Sequence, residues 1–423
     1  IISTGVDYGL GRVAGRAVQV GNRRQLRLAV AGSVAVNLGL LGYFKYANFL
    51  VEQLNSLGFG IIAQTSVTLP IGISFFTFQS MSYTIDVSRG RAKALRSPID
   101  FALYVSLFPQ LVAGPIVRFH EIAAQLRPRR ITVDGASDGA IRFTHGLAKK
   151  VIIADNVAPI ADAAFANSGS LSMPSAWVGI LAYSVQIYFD FSGYSDMAIG
   201  LGKMLGFEFP ENFARPYSSV SITEFWRRWH ITLSNWFRDY LYIPLGGSRG
   251  GSVRTYLNLS IVFLLTGLWH GAKWTFVVWG AVHGTLLIME RVTGQRSIDS
   301  RVSSAGLRRL ATFVAVTLAW VFFRAYDLSD AMGYFGDLFA GGMNKAQSRT
   351  IFDATTTSRS KIALAVGLAT LLLPAGFSVG PRLENWTSQP GLTFRLAYIA
   401  TVLPVTLLLV ATNTFSPFLY FQF

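Results

Sequence analysis

Long apolar runs alternate along this chain with short polar loops. A run of about 20 apolar residues is long enough for an α-helix to cross the hydrocarbon core of a bilayer. On this pattern, membrane-embedded helices are expected near residues 28–47, 69–87, 176–205, 255–270, 274–290, 308–325, 361–378 and 394–413. The pattern therefore predicts an all-α, polytopic membrane protein.

Other stretches interrupt this pattern. Residues 100–117 contain two prolines, and proline removes a helical hydrogen bond, so a broken or re-entrant element is expected there. Residues 140–165 mix Lys and Asp into an apolar pattern, which favours an amphipathic helix at the cytoplasmic face. Residues 222–243 are too polar to span lipid, and the segment 326–360 is predicted to be a soluble loop.

Composition agrees with a single membrane-embedded domain over residues 1–423. Of these residues, 51% are hydrophobic and 14% are charged, against about 25% charged residues in ordinary soluble proteins. The sequence contains no cysteine, which excludes disulfides, thiolate metal sites and a cysteine nucleophile. Because the chain begins with Ile1 and not with Met, we expect its native N-terminus, with earlier membrane helices, to lie upstream.

The net charge of +15 comes mainly from basic loops between the apolar runs. Arginines at 23–27 precede the first run and a second basic group at 89–96 follows the next one, whereas residues 52–66 contain no Lys or Arg. Cytoplasmic loops of membrane proteins are enriched in Lys and Arg. The charge therefore indicates topology, with 52–66 outside, and it favours contact with anionic lipids over nucleic acid.

Two histidines are the main candidates for chemistry. His270 lies at the turn of NLSIVFLLTGLWHGAKWTFVVWGAVHG, and His230 lies in the aromatic and basic stretch ITEFWRRWHITLSNWFRDYLYIPLGG. Ionisable side chains inside a membrane are costly and tend to be functional. A helix over 255–270 would be about 24 Å long at 1.5 Å per residue, which places His270 deep in the bilayer. Acid–base chemistry is one interpretation of these histidines, and a hydrogen-bonded structural role is the other.

The two stretches that contain these histidines, WRRWHITLSNWFRDYLYIPLGG and LTGLWHGAKWTFVVWGAVHG, are long and specific motifs. Further motifs cover nearly the whole chain: LLGYFKYANF, LPIGISFFTFQSMSYTIDV, FPQLVAGPIVRF, YFDFSGYSDMAIGLGKMLGFEFPENFARPY and FSPFLYFQF. Together they resemble the membrane-bound O-acyltransferase family. The resemblance is greatest to the bacterial branch that includes the membrane subunit of alginate O-acetylation.

This resemblance implies a ring of transmembrane and re-entrant helices around a central funnel. His270 matches the family's catalytic histidine, and His230 matches its second polar position. The resemblance also implies acetyl-CoA as an acyl-donor substrate, with no tightly bound cofactor. On the same basis, the chain is expected to lie in a bacterial inner membrane and to pass an acetyl group to a separate extracytoplasmic O-acetyltransferase, which then modifies a polysaccharide such as alginate.

Other residues are weaker candidates for the site. Arg227 and Arg228 are candidates for contact with donor phosphates, and positive-inside anchoring is the alternative. Six residues are candidates for lining the funnel, with ion pairing or helix packing as the alternative: Trp229, Trp269, Asp190, Tyr188, Asp196 and Asp239. No metal is expected, because the spacing of the histidines is not typical of zinc ligands.

Functions of other classes remain open from the sequence. A transporter of lipid-linked sugars also needs buried polar groups and broken helices, but it does not need His270. A scaffold that only recruits a separate enzyme would show no acyl-transfer activity of its own. A related enzyme that acylates peptidoglycan, cellulose or a D-alanylated cell-wall polymer would share the same motifs.

Overall fold

The computed structural model describes residues 2–58, 66–112, 114–127, 129–294, 305–340, 356–372 and 389–412. These residues form helices and connecting loops and no β-strand, which confirms the predicted fold class. The α-helices are α1 (Ile2–Gln19), α2 (Arg23–Leu41), α3 (Ala47–Ser56), α4 (Ile73–Ser88), α5 (Pro98–Ser106), α6 (Phe108–Leu111), α7 (Phe119–Ile122), α8 (Val133–Ala148), α9 (Asp155–Ala166), α10 (Met173–Met204), α11 (Ile222–Arg228), α12 (Ile231–Phe237), α13 (Gly251–His270), α14 (Trp274–Val292), α15 (Ala305–Arg324), α16 (Leu328–Ala340), α17 (Ser358–Leu372) and α18 (Gln389–Thr412). Three π-helical segments continue or join them: Gly42–Tyr46, Lys149–Ala154 and Arg238–Tyr242.

Helices long and apolar enough to cross a membrane are present, as the apolar runs predict. Within the described ranges they are Arg23–Ser56, Gly251–His270, Ala305–Arg324 and Thr393–Thr412. The other predicted spans contain the helices α4, α10, α14 and α17, which are shorter or contain more polar residues. Residues 373–378 of the predicted span 361–378 lie outside the described ranges. The chain is thus a multi-pass membrane protein.

The predicted break in 100–117 is observed. α5 ends at Ser106, and Leu107 has extended backbone angles before the short helix α6 begins. The proline at the start of α6 fits this position, because the first helical residues need no intrahelical N–H donor. Residues 222–243 likewise do not form one span, since Trp229 is extended and separates α11 from α12.

The prediction of a soluble loop over 326–360 is wrong for its first part. Residues 328–340 form α16, which packs against α10, and the side chains of Tyr334 and Leu338 are buried. The Tyr334 hydroxyl donates a hydrogen bond of 2.8 Å to the carbonyl oxygen of Ala176 in α10. A helix this short produces no long apolar run, so an apolar-run criterion misses it. Residues 341–355 lie outside the described ranges.

A tight hairpin of α13 and α14 determines the position of His270. Gly267 and Gly280 face each other where the two helices meet, and a side chain on Gly280 would meet the backbone of Phe263. Small residues allow this close approach, as is common between helices in membranes. Gly271 then has extended backbone angles and ends α13 immediately after His270. The histidine is therefore held at the tip of a closely packed helix pair.

Candidate functional site

His270 is enclosed by aromatic side chains at the C-terminal end of α13. The residue is 5% exposed. Its ring centre lies 5.0 Å from that of Trp269, 5.1 Å from that of Trp279 in α14, and 5.2 Å from that of Phe323 in α15. Three helices therefore fix the environment of the imidazole, which is apolar on the sides formed by these rings.

His230 lies between α11 and α12 and has an unusual backbone conformation. Its φ angle is 44°, in the left-handed region that non-glycine residues rarely adopt. The residue is completely buried, and its ring lies 4.8 Å from Phe191 of α10. Such a conformation persists only where the surrounding structure enforces it, and it is commonly found at functional sites.

Asn212 holds His230 in place, and this residue is not among those selected from the sequence. Its side-chain oxygen accepts hydrogen bonds from the Nδ1 of His230 at 3.1 Å and from the hydroxyl of Thr232 at 2.9 Å. The Asn212 amide nitrogen donates to the Ser195 hydroxyl of α10 at 3.0 Å. An oxygen acceptor at Nδ1 requires the proton of a neutral imidazole to be on Nδ1, which leaves the Nε2 of His230 with a free lone pair.

The structure brings His230 and His270 together in the interior. Their ring centres are 6.4 Å apart. The Nε2 of His230 is buried and has no hydrogen-bond partner among the described residues. Burial lowers the pKa of His230 to about 3, so this imidazole is neutral at physiological pH. At this separation the two rings are neighbours within the same aromatic cluster.

A cavity of about 410 Å³ lies beside the two histidine-bearing segments. Its lining includes Ile231, next to His230, and Thr266, one helical turn before His270. Neither histidine is part of the lining itself. The cavity therefore approaches the site from the side of α11, α12 and α13, but it stops about one helical turn short of His270.

The two adjacent arginines, Arg227 and Arg228, have different environments in the structure. Arg227 is exposed, lines the cavity, and has no carboxylate partner among the described residues. Arg228 forms a 2.8 Å ion pair with Glu224, and it also donates a hydrogen bond to the carbonyl oxygen of Ala214. Arg238 also lines the cavity. Arg227 is thus the member of the pair that is available to an anionic ligand.

The six predicted funnel-lining residues fall into two groups. Trp229, Trp269 and Tyr188 belong to the aromatic cluster around the histidines; Trp269, for example, lies 6.2 Å from His230. The three carboxylates instead form ion pairs: Asp190 with Lys150, Asp196 with Arg142 and Lys149, and Asp239 with Arg118 and Arg238. For these carboxylates the geometry favours the structural alternative, in which ion pairs neutralise buried charges.

The remaining histidines also have identifiable partners. His283 accepts a hydrogen bond from the Trp226 indole at 3.2 Å. His120 pairs with Asp86 at 2.8 Å, and His145 contacts the Tyr398 hydroxyl at 3.1 Å. Within the part of the chain that the structure describes, no group of three or more His, Cys, Asp or Glu residues is arranged to hold a metal ion.

Comparison with known proteins gives consistent matches. Residues 41–326 match the membrane-bound O-acyltransferase (MBOAT) family. The chain is 46% identical to the probable alginate O-acetylase AlgI of Azotobacter vinelandii, over 92% of this chain and 84% of that protein. It is 42% identical to the corresponding Pseudomonas aeruginosa protein, over 99% and 89%. It is also 41% identical to a peptidoglycan O-acetyltransferase of Helicobacter pylori, over 72% and 63%.

Proposed function

Because this chain belongs to the membrane-bound O-acyltransferase family, we propose that it moves an acetyl group from cytoplasmic acetyl-CoA across a bacterial inner membrane for O-acetylation of extracellular alginate. The main support for this proposal is that His230 and His270 lie close together. Their ring centres lie 6.4 Å apart in a buried aromatic interior, although different helices position them. Two buried imidazoles in such a setting are suited to proton transfer.

The proposed reaction uses His270 as a general acid–base. The oxygen of an acceptor hydroxyl forms a bond to the acyl carbon of the thioester, and the carbon–sulfur bond breaks. His270 takes the proton from the hydroxyl and returns it to the leaving sulfur. Because a thioester is already activated, correct positioning and one base are sufficient. Since the Nε2 of His230 is an acceptor in the neutral ring, His230 is suited to orient His270 or the attacking hydroxyl.

The proposed donor site is the cavity beside α11, α12 and α13. Its 410 Å³ volume is within the range of about 300–1,000 Å³ for small-molecule sites. Arg227 supplies positive charge for the phosphates of acetyl-CoA, and the apolar walls formed by Val262 and Phe263 suit its uncharged arm. Thr266 lies at the end of this wall towards His270.

Arg227→Gln is expected to raise the KM for acetyl-CoA by about tenfold or more, because a hydrogen bond to a charged group contributes about 1.5–3 kcal/mol. The neighbouring Arg228→Gln is the matched control. It should change KM less than about twofold, since Arg228 is already paired with Glu224. Initial rates of acetyl transfer in membranes would be measured at varied acetyl-CoA concentrations. Equal effects of the two substitutions would reject Arg227 as a specific donor contact.

Alginate is the proposed acceptor because two of the relatives described above are probable alginate O-acetylases. Peptidoglycan is the alternative acceptor, since a third relative is a peptidoglycan O-acetyltransferase. We expect this chain to restore acetylation of alginate in a bacterium that lacks only its own membrane subunit. Acetyl esters would be counted on purified alginate and on purified peptidoglycan from the same cells. Acetylated peptidoglycan together with unmodified alginate would assign the chain to the alternative acceptor.

A further inference from the structure

The backbone carbonyl groups at the end of α13 accept hydrogen bonds from residues that are distant in the sequence. The last turn of a helix leaves its carbonyl oxygens without intrahelical donors, and it carries a partial negative charge. In α13 these oxygens include those of Leu268, Trp269 and His270. The Gly271 N–H bonds one turn back, to Gly267, so it satisfies none of these three carbonyls.

Two adjacent residues before α3 supply the missing donors. The Tyr46 hydroxyl donates a 2.7 Å hydrogen bond to the carbonyl of Leu268. The Nζ of Lys45 donates to the carbonyls of Trp269 and His270, at 2.5 Å and 3.1 Å. Lys45 lies in the π-helical segment Gly42–Tyr46, and such interruptions of α-helices often occur at functional sites.

Ser74 of α4 completes this arrangement. Its hydroxyl accepts the third hydrogen bond of Lys45 at 3.2 Å, and its carbonyl accepts a 3.3 Å hydrogen bond from the indole N–H of Trp269. An ammonium group has three donors, and all three have acceptors here. Lys45 therefore connects α4 and the π-helical segment to the backbone of the residue that carries the candidate catalytic imidazole.

We infer that Lys45 is a positioning residue for His270, which it controls by binding the carbonyls of Trp269 and His270. This role rests on the proposed acyl transfer at His270. Removing the donors would let the last turn of α13 shift, and a displacement of about 1 Å in an active site can cost about 100-fold in rate. Lys45 binds the backbone and not the acyl donor, so turnover should fall while donor binding is retained.

The test compares Lys45→Met with Lys273→Met. Lys273 lies in the turn between α13 and α14 and is exposed, with its Nζ 4.8 Å from the ring centre of Tyr326. Its replacement therefore removes the same kind of side chain without removing a hydrogen bond to α13. We expect Lys45→Met to lower kcat by about 10- to 100-fold with KM for acetyl-CoA within about twofold of wild type. Lys273→Met should stay within about twofold of wild type in both constants.

Tyr46→Phe provides a milder variant that removes one hydrogen bond, in case Lys45→Met does not fold. It should lower kcat several-fold without changing KM. Amounts of folded protein in membranes would be measured for every variant. All assays contain alginate and its O-acetyltransferase, and an inactive wild type under these conditions would reject the proposed function. If wild type is active, the positioning role is wrong when Lys45→Met and Tyr46→Phe match Lys273→Met in kcat, or when they raise KM for acetyl-CoA instead.

Discussion

Replacing His270 with alanine is expected to reduce acetylation of the polysaccharide by about 100- to 10,000-fold, the usual loss when a positioned general base is removed. The imidazole is 5% exposed and surrounded by Trp269, Trp279 and Phe323. None of these three side chains is a base, and His230, whose ring centre is 6.4 Å away, is assigned an orienting role. Acetyl esters would be measured on polymer from cells that express each variant at equal levels.

Two further variants test whether the loss is specific to the His270 base: His270→Gln and the control His145→Ala. Glutamine keeps a polar side chain but cannot accept the proton, so His270→Gln should be as inactive as His270→Ala. His145 lies in α8 and contacts Tyr398, so His145→Ala should retain activity. His230→Ala should be impaired to a smaller extent, because we assign it an orienting role. Substantial acetylation by a well-expressed His270→Ala protein would favour a transporter or a scaffold.

The second large effect concerns the partner. We expect purified chain, acetyl-CoA and alginate to yield no acetylated alginate until an extracytoplasmic O-acetyltransferase is added. His230 is fully buried and His270 is nearly so, and a cavity of about 410 Å³ suits a small molecule and not a polymer. The polymer should therefore receive its acetyl group outside the helical interior. Efficient acetylation without any second protein would reject the relay.

His270 and Asn212 illustrate what sequence can and cannot predict about this site. An ionisable residue inside an apolar run is unusual enough to identify His270 directly. Asn212 follows α10 in a polar loop, where asparagine is common, so nothing in its local pattern marks it. Its role depends on the folding of 229–232 back against α10, a long-range contact that periodicity does not encode. The family motif that ends in PENFARPY contains Asn212, but the motif does not indicate the function of this residue.

The different environments of Arg227 and Arg228 can be predicted from the local sequence. Glu224 lies four residues before Arg228, the spacing at which opposite charges pair on one face of a helix. This spacing alone is sufficient to predict that Arg228 is paired and that Arg227 is more available to an anionic ligand. The sequence also could not place Lys45 at the end of α13, because the two are separated by more than two hundred residues. Contacts of this kind require the three-dimensional fold.

The most direct test of acetyl movement through the His230–His270 site uses sealed proteoliposomes with this chain in one orientation. Labelled acetyl-CoA is supplied only on the cytoplasmic side, and alginate with its transferase is enclosed on the other side. Wild type should label the enclosed alginate, and His270→Ala should leave it unlabelled while the vesicles remain sealed. Equal labelling with both proteins, or labelling only when donor and polymer share one side, would contradict the proposed function.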